Sequence, residues 1–127
     1  MTATLTSTGS TAAVIVTHQR AELLRASLEQ VVHQTHPVQW VVVVDNGAED
    51  AVRELVESMA GDRGVYVPSE TNLGGAGGFA LGFLTALSLG ADAVWCADDD
   101  GRPADHTVLA ELYRVAEGNR LHEVSPA

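Results

Sequence analysis

The sequence contains no lysine, and its seven basic residues are all arginines, set against 17 aspartates and glutamates in 127 residues. The missing lysine excludes a P-loop, a Schiff base and a lysine general base. Phosphate backbones are held by clustered lysine and arginine, so a formal net charge of −10 argues against a nucleic-acid partner. The single cysteine, Cys96, excludes a disulfide framework and a cysteine zinc site.

The sequence also lacks any apolar run near the roughly 20 residues of a membrane span. Its start has neither the basic segment nor the apolar segment of a signal peptide. We therefore predict no transmembrane segment and a cytoplasmic location. Residues 1–11 are rich in Thr, Ser and Gly and predict a flexible lead-in, and residues 12–127 form the folded part, with no internal linker.

Apolar patterning predicts four strands, each followed by a helix. The predicted strands are continuous apolar runs at residues 12–17, 40–44, 64–68 and 93–97. Such strands are covered on both faces, which predicts an α/β fold: a three-layer α/β/α sandwich with a mostly parallel sheet. Helical spacing predicts that the third helix turns Phe79, Phe83, Leu84 and Leu87 towards the core, and Cys96 is predicted as a small core residue.

Three polar clusters follow predicted strands, where ligands bind in open α/β sheets. One is the run Asp98-Asp99-Asp100. Two carboxylates about 4 Å apart repel by roughly 4 kcal/mol at an effective dielectric of 20, so a cation among them is favoured. Alternation turns Asp98 and Asp100 to one side, which indicates a site for Mg²⁺ or Mn²⁺. The alternative is a solvated acidic turn that caps the next helix.

The other two clusters offer nucleotide contacts. Asp45 and Asn46 end the most apolar strand, where a carboxylate can accept from a base N–H or a ribose hydroxyl. The alternative is a turn and helix N-cap, a common role for these residue types. Thr17 and Arg20 follow the first strand and are candidates for contacts with base or phosphate.

A glycine-rich segment, residues 72–78, leads into the third helix. Glycine lets a ligand approach the backbone, and a helix N-terminus favours anions, so a diphosphate is one candidate ligand. Tight helix–sheet packing is the alternative, and both can hold. Gly75-x-Gly77-x-x-Ala80 also matches the dinucleotide fingerprint, but a polar stretch separates it from the preceding strand, and the fingerprint usually follows the first strand.

Four blocks together resemble family 2 glycosyltransferases with the GT-A fold: VIVTHQR at 14–20, VVVDNG at 42–47, NLGG at 72–75 and ADDD at 97–100. The longer runs at 72–82 and 95–103 are most similar to bacterial cell-wall galactofuranosyltransferases that use UDP-galactofuranose. The resemblance spans residues 12–127. One departure is His18-Gln19, where many members carry Tyr-Asn.

The resemblance implies a metal-dependent, inverting transfer from a UDP-sugar to a lipid-linked cell-wall glycan, peripheral at the inner face of the plasma membrane. It implies that Asp98 and Asp100 hold Mn²⁺ or Mg²⁺, with Asp98 also near the ribose, and that Asp99 contacts the donor sugar. The remaining implied donor contacts are Thr17, Arg20, Asp45, Asn46, Asn72, Gly74 and Gly75.

In this family the acidic general base and the acceptor site lie beyond the acidic run, and Asp105, Glu111, Glu117 and Glu123 do not match that later motif. The chain is therefore expected to be a donor-binding fragment of a longer enzyme, inactive alone. Two alternatives stay open: an NAD(P)-binding Rossmann fragment of an oxidoreductase, and a non-catalytic nucleotide-binding module. The oligomeric state is not predicted.

Overall fold

The computed structural model describes residues 9–98 and 106–119, which form alternating strands and helices. The strands are β1 (Thr11–Thr17), β2 (Trp40–Asn46), β3 (Gly64–Ser69) and β4 (Ala93–Asp98). The helices are α1 (Ala21–Val32), α2 (Asp50–Ala60), α3 (Gly74–Ser88) and α4 (Val108–Asn119). The predicted alternation is confirmed. Pro103 and Asp105, which the sequence pattern predicts at the start of the last helix, lie outside the described residues.

The four strands form one parallel sheet in the order β3-β2-β1-β4. Valine and isoleucine suit a pleated surface covered on both faces, and the central strands β1 and β2 are almost entirely buried. The register pairs Thr17 with Asp45 and Val16 with Asp98. The carboxyl ends of β1, β2 and β4 therefore lie side by side at one edge.

The helices divide between the two faces of the sheet. Apolar residues of α1, α2 and α4 share one core with Ile15 and Val43, while α3 packs against β1 and β2 on the opposite face. The predicted three-layer sandwich is confirmed, since helices lie on both faces of the sheet.

The predicted orientation of α3 is wrong. Its sheet-facing residues are Gly78, Gly82 and Ala86, whereas Phe83, Leu84 and Leu87 are 41%, 64% and 60% exposed. A Cβ built on Gly78 would lie 2.6 Å from Val16 Cγ1, and one on Gly82 would overlap Val14 Cγ1. The helix lies so close to the sheet that only small residues fit between them. Phe79 was predicted correctly, because it is partly buried against this core.

The prediction that Cys96 is a core residue is also wrong, since it is exposed. Cys96 pairs with Val14 and so lies on the α3 side of the sheet, but on strand β4, at the sheet's edge. Because α3 lies mainly over β1 and β2, this part of the edge strand is left uncovered.

Candidate functional site

The candidate site lies at the carboxyl edge of the sheet, where ligands bind in folds of this type. Thr17 and Asp45 are paired neighbours there and are both buried, at 1% and 0% exposure. Arg20 is exposed beside them, and its carbonyl accepts the amide of Leu24 at the start of α1. The parallel register therefore brings together residues that are far apart in the sequence.

The Asp45 carboxylate is held through one oxygen only. Its Oδ2 accepts the hydroxyl of Tyr66 at 2.6 Å and the backbone amide of Glu49 at 2.8 Å. Its Oδ1 is buried and has no hydrogen-bond partner within the described part of the chain. A buried acceptor without a partner carries a desolvation penalty of about 1–3 kcal/mol, so a donor group on a ligand would be favoured at this oxygen.

Tyr66 is a site residue that the sequence reasoning missed. It lies on β3, paired with Val43, so it shares a sheet face with Asp45 two residues further along β2. A tyrosine spans such a diagonal between neighbouring strands. Burial first, then the hydrogen bond to Asp45 and the charge of Asp45, raise the pKa of Tyr66 well above its ordinary value. The hydroxyl therefore stays protonated and donates at neutral pH.

Asn46 points to the opposite face and fastens the start of α3. Its Oδ1 accepts the amide of Leu73 at 3.2 Å, and its Nδ2 donates to the carbonyl of Gly74 at 3.4 Å. Asn72 adds a local turn, because its Oδ1 accepts the amide of Gly74 at 2.9 Å. The two amide side chains therefore fix the glycine segment against the end of β2.

The glycine-rich segment is open at its first glycines and packed against the sheet further along. Gly74 and Gly75 are exposed, and a Cβ on either would meet nothing within 4 Å. Gly74 also has φ +72°, a conformation that favours glycine. Gly78 and Gly82, further along α3, are packed against the sheet. The segment is thus open to a ligand only at the start of the helix.

Gly47 is exposed and lies next to side chains from the first two strand ends. A Cβ at Gly47 would lie 3.8 Å from each of three groups: Asp45 Oδ1, the Cγ of Gln19 and the imidazole Cδ2 of His18. His18 and Gln19 are themselves exposed. The unpartnered oxygen is therefore near the surface, next to a residue without a side chain.

Of the three aspartates in the acidic run, only Asp98 is among the described residues. Asp98 is the last residue of β4 and its backbone pairs with Val16, beside Thr17, whereas Asp99 and Asp100 lie outside the described residues. Within residues 9–98 and 106–119 no group of three His, Cys, Asp or Glu side chains could hold a metal. As a donor set, paired aspartate oxygens at a strand end suit Mg²⁺ or Mn²⁺.

The helices that the structure describes include none with the length and apolar character needed to span a membrane.

A comparison with protein families gives the context of this site. The sequence profile of glycosyl transferase family 2 matches residues 12–125, nearly the whole chain. The chain belongs to glycosyl transferase family 2. The resemblance in the four sequence blocks is thereby confirmed, and the oxidoreductase alternative loses its support because the match includes the Gly75–Ala80 motif.

Two curated relatives of the family are mycobacterial. The chain is 53% identical over 122 residues to galactofuranosyltransferase GlfT1 of Mycolicibacterium smegmatis and 52% identical over 121 residues to GlfT1 of Mycobacterium tuberculosis H37Rv. The alignments cover 96% and 94% of this chain but 40% of each relative. The chain therefore spans about two fifths of the length of these family members.

Two solved structures share the fold. TarS 1–349 of S. aureus in complex with UDP aligns with a TM-score of 0.71 at 19% identity, over 87% of this chain and 33% of that one. A mannosyltransferase of Pyrobaculum calidifontis, solved with GDP-Man and Mn²⁺, aligns with a TM-score of 0.66 at 23% identity, over 90% and 34%. The fold is therefore the GT-A glycosyltransferase fold.

Proposed function

We propose that this chain is the donor-binding part of a galactofuranosyltransferase, which transfers galactofuranose from UDP-galactofuranose to a cell-wall glycan with inversion. The observation that carries the proposal is the buried Asp45 carboxylate, whose Oδ1 has no partner in the described part of the chain at the carboxyl edge of the sheet. Similarity to two GlfT1 proteins at 52–53% identity supports the choice of sugar.

The nucleoside is proposed to bind at Asp45. An N–H of the base or a ribose O–H would donate to Oδ1. The ligand would thereby supply the hydrogen bond that this buried acceptor lacks. Thr17 lies beside Asp45 in the register and Arg20 stands at the exposed rim, within the same strand-end cluster. Asn46 would act at the other end of the site, because its bonds to Leu73 and Gly74 hold the start of α3.

The diphosphate and sugar are proposed to extend towards the start of α3. Asn72, Gly74 and Gly75 would line that part, where the backbone is open and the helix N-terminus favours an anion. A chain of net charge −10 repels a nucleoside diphosphate at long range, so binding needs a local source of positive charge.

Asp98 and Asp100 are proposed to hold Mn²⁺ or Mg²⁺, with Asp98 also close to the ribose and Asp99 next to the donor sugar. The strand register supports the position of this run, since it sets the end of β4 beside Thr17. When bound, the cation offsets the negative charge that builds up on the diphosphate leaving group. The protein would supply two carboxylates, the first of them on the last residue of β4.

The acceptor is proposed to be a lipid-linked glycan. The enzyme is proposed to be a cytoplasmic protein that binds peripherally at the inner face of the plasma membrane. The acceptor site and an acidic general base are proposed to belong to the part of the relatives that this chain does not cover.

A titration of the purified chain with UDP and with NADH, each with and without Mn²⁺, tests the proposal. We expect UDP to bind only with Mn²⁺, NADH not to bind, and Asp100→Ala to weaken UDP binding at least about tenfold, or 1.4 kcal/mol. Asp62→Ala is the matched control, because Asp62 is exposed just before β3 begins, at the opposite edge of the sheet.

Metal-independent NADH binding would overturn the proposal. If Asp100→Ala and Asp62→Ala weakened UDP binding equally, the proposed metal site at Asp98 and Asp100 would be wrong. The remaining alternative, a non-catalytic nucleotide-binding module, predicts metal-dependent UDP binding with no sugar transfer even by the longest form of the protein.

A further inference from the structure

We infer that Tyr66 is a positioning residue for the donor nucleoside, acting through Asp45. The inference rests on the proposed function, because it assumes that Asp45 Oδ1 accepts from the nucleoside. It goes further by assigning a role to a residue on β3, the strand at the far end of the sheet from the acidic run.

The Tyr66 hydroxyl is bonded mainly to the carboxylate of Asp45. The Tyr66 hydroxyl donates to Asp45 Oδ2 at 2.6 Å, and its next contact, with the carbonyl of Glu49, is longer at 3.3 Å. The single hydroxyl proton is therefore directed to the carboxylate. Hydrogen bonds to a charged acceptor are among the stronger ones in proteins.

The two oxygens of the Asp45 carboxylate differ in their hydrogen bonds. Both donors that reach Asp45, the Tyr66 hydroxyl and the Glu49 amide, bind Oδ2. They come from different elements, β3 and the start of α2, and together they fix the plane of the carboxylate. Oδ1 is left in one defined position, buried and with its hydrogen-bonding capacity unused by the described residues.

A carboxylate fixed in this way favours binding of the nucleoside. A preorganised acceptor spares the ligand the entropy and reorganisation that a rotating carboxylate would require. Without the tyrosine hydroxyl, Oδ2 would keep one donor, and the group could turn so that either oxygen faces the amide of Glu49. The nucleoside would then bind less tightly, while the diphosphate end of the site would be unaffected.

The experiment compares Tyr66→Phe with Tyr113→Phe in the whole chain, by calorimetric titration with UDP and with inorganic diphosphate, both in Mn²⁺. The chain has only these two tyrosines, and the Tyr113 hydroxyl is likewise hydrogen-bonded, to Thr11, away from the site. We expect Tyr66→Phe to weaken UDP about five- to tenfold and to leave diphosphate unchanged, and Tyr113→Phe to change neither.

A double-mutant cycle with Asp45→Ala separates positioning from general structure. If Tyr66 acts through Asp45, Tyr66→Phe has no further effect on UDP affinity in the Asp45→Ala background, which has no side-chain acceptor. Equal losses in both backgrounds, or equal losses for UDP and diphosphate, would overturn the inference.

The wild-type chain offers a test that does not depend on folding of a variant. With the tyrosine ring carbons isotopically labelled, UDP should shift the Tyr66 resonance and leave the Tyr113 resonance in place. An unmoved Tyr66 resonance at saturating UDP overturns the inference but leaves the proposed function intact, whereas a wild-type chain that binds no UDP overturns the proposed function itself.

Discussion

Adjacent side chains at the end of β2 serve opposite faces of the sheet. Asp45 turns towards α2 and bonds the amide of Glu49, while Asn46 turns towards α3 and bonds Leu73 and Gly74. The sequence analysis left Asp45 as either a ligand contact or a helix N-cap. The N-cap of α2 is Glu49, and Asp45 instead accepts the backbone amide of that residue. Tyr66 could not be predicted, because only the strand register shows that a residue 21 positions away reaches Asp45.

Alkaline titration provides a prediction for Tyr66. Its pKa is raised in the folded state by burial and by Asp45, relative to about 10 in an unfolded chain. The stabilisation is therefore fully present below about pH 10 and is lost as the pH rises through the folded pKa. Urea unfolding should show the free energy of unfolding falling above pH 10, by up to about 1 kcal/mol per pH unit.

The control for this titration is Tyr66→Phe, which should lack that component of the decline while Tyr113→Phe retains it. The near-ultraviolet absorbance titrations of wild type and Tyr66→Phe should also differ by one tyrosine that ionises later than free tyrosine. A wild-type curve that parallels Tyr66→Phe throughout the alkaline range would contradict the assignment.

Helix α3 shows why the sheet-facing side of a helix cannot always be predicted from the sequence. The helix carries large apolar residues on one side and glycine and alanine on the other, so hydrophobic periodicity favours burying the large side. The structure buries the small side, since the close approach to Val14 and Val16 leaves no room for side chains. Strand identity was easier to predict, because continuous β-branched runs have one interpretation in an alternating α/β chain.

Substitutions along α3 test this packing. Gly82→Ala should lower the free energy of unfolding by about 1–2 kcal/mol, because overpacking outweighs the roughly 1 kcal/mol gain in helix propensity. Gly75→Ala should be neutral or slightly stabilising, since the space around it is open. Leu84→Ala should change stability by less than about 0.5 kcal/mol, given its 64% exposure.

Urea unfolding of the three variants measures these effects against the wild-type chain. If Gly82→Ala were as stable as Gly75→Ala, or if Leu84→Ala cost more than Gly82→Ala, the orientation of α3 described above would be wrong.

For the molecule as a whole, the parallel sheet determines which polar residues can act together. Every strand runs in the same direction, so every strand end that carries polar residues meets the same edge. This rule is why the fold and the location of the site could be predicted from the sequence. The partners of each group at that edge could not, since they depend on register and on which face each helix covers.

The last prediction concerns activity. We expect the 127-residue chain to bind UDP with Mn²⁺ and to transfer no sugar, with full-length GlfT1 of M. smegmatis as the positive control. Two of the described acidic groups are poorly suited to act as the general base. Asp45 is buried and bonded to Tyr66, and Glu111 is held by Arg114, whose hydrogen bond lowers the pKa of Glu111 and weakens it as a base.

A product assay with UDP-galactofuranose and a lipid-linked glycan measures transfer. Transfer above background that is lost in Asp100→Ala would show that this chain already contains the base and the acceptor site, and would move the search for them to the residues around its own acidic run.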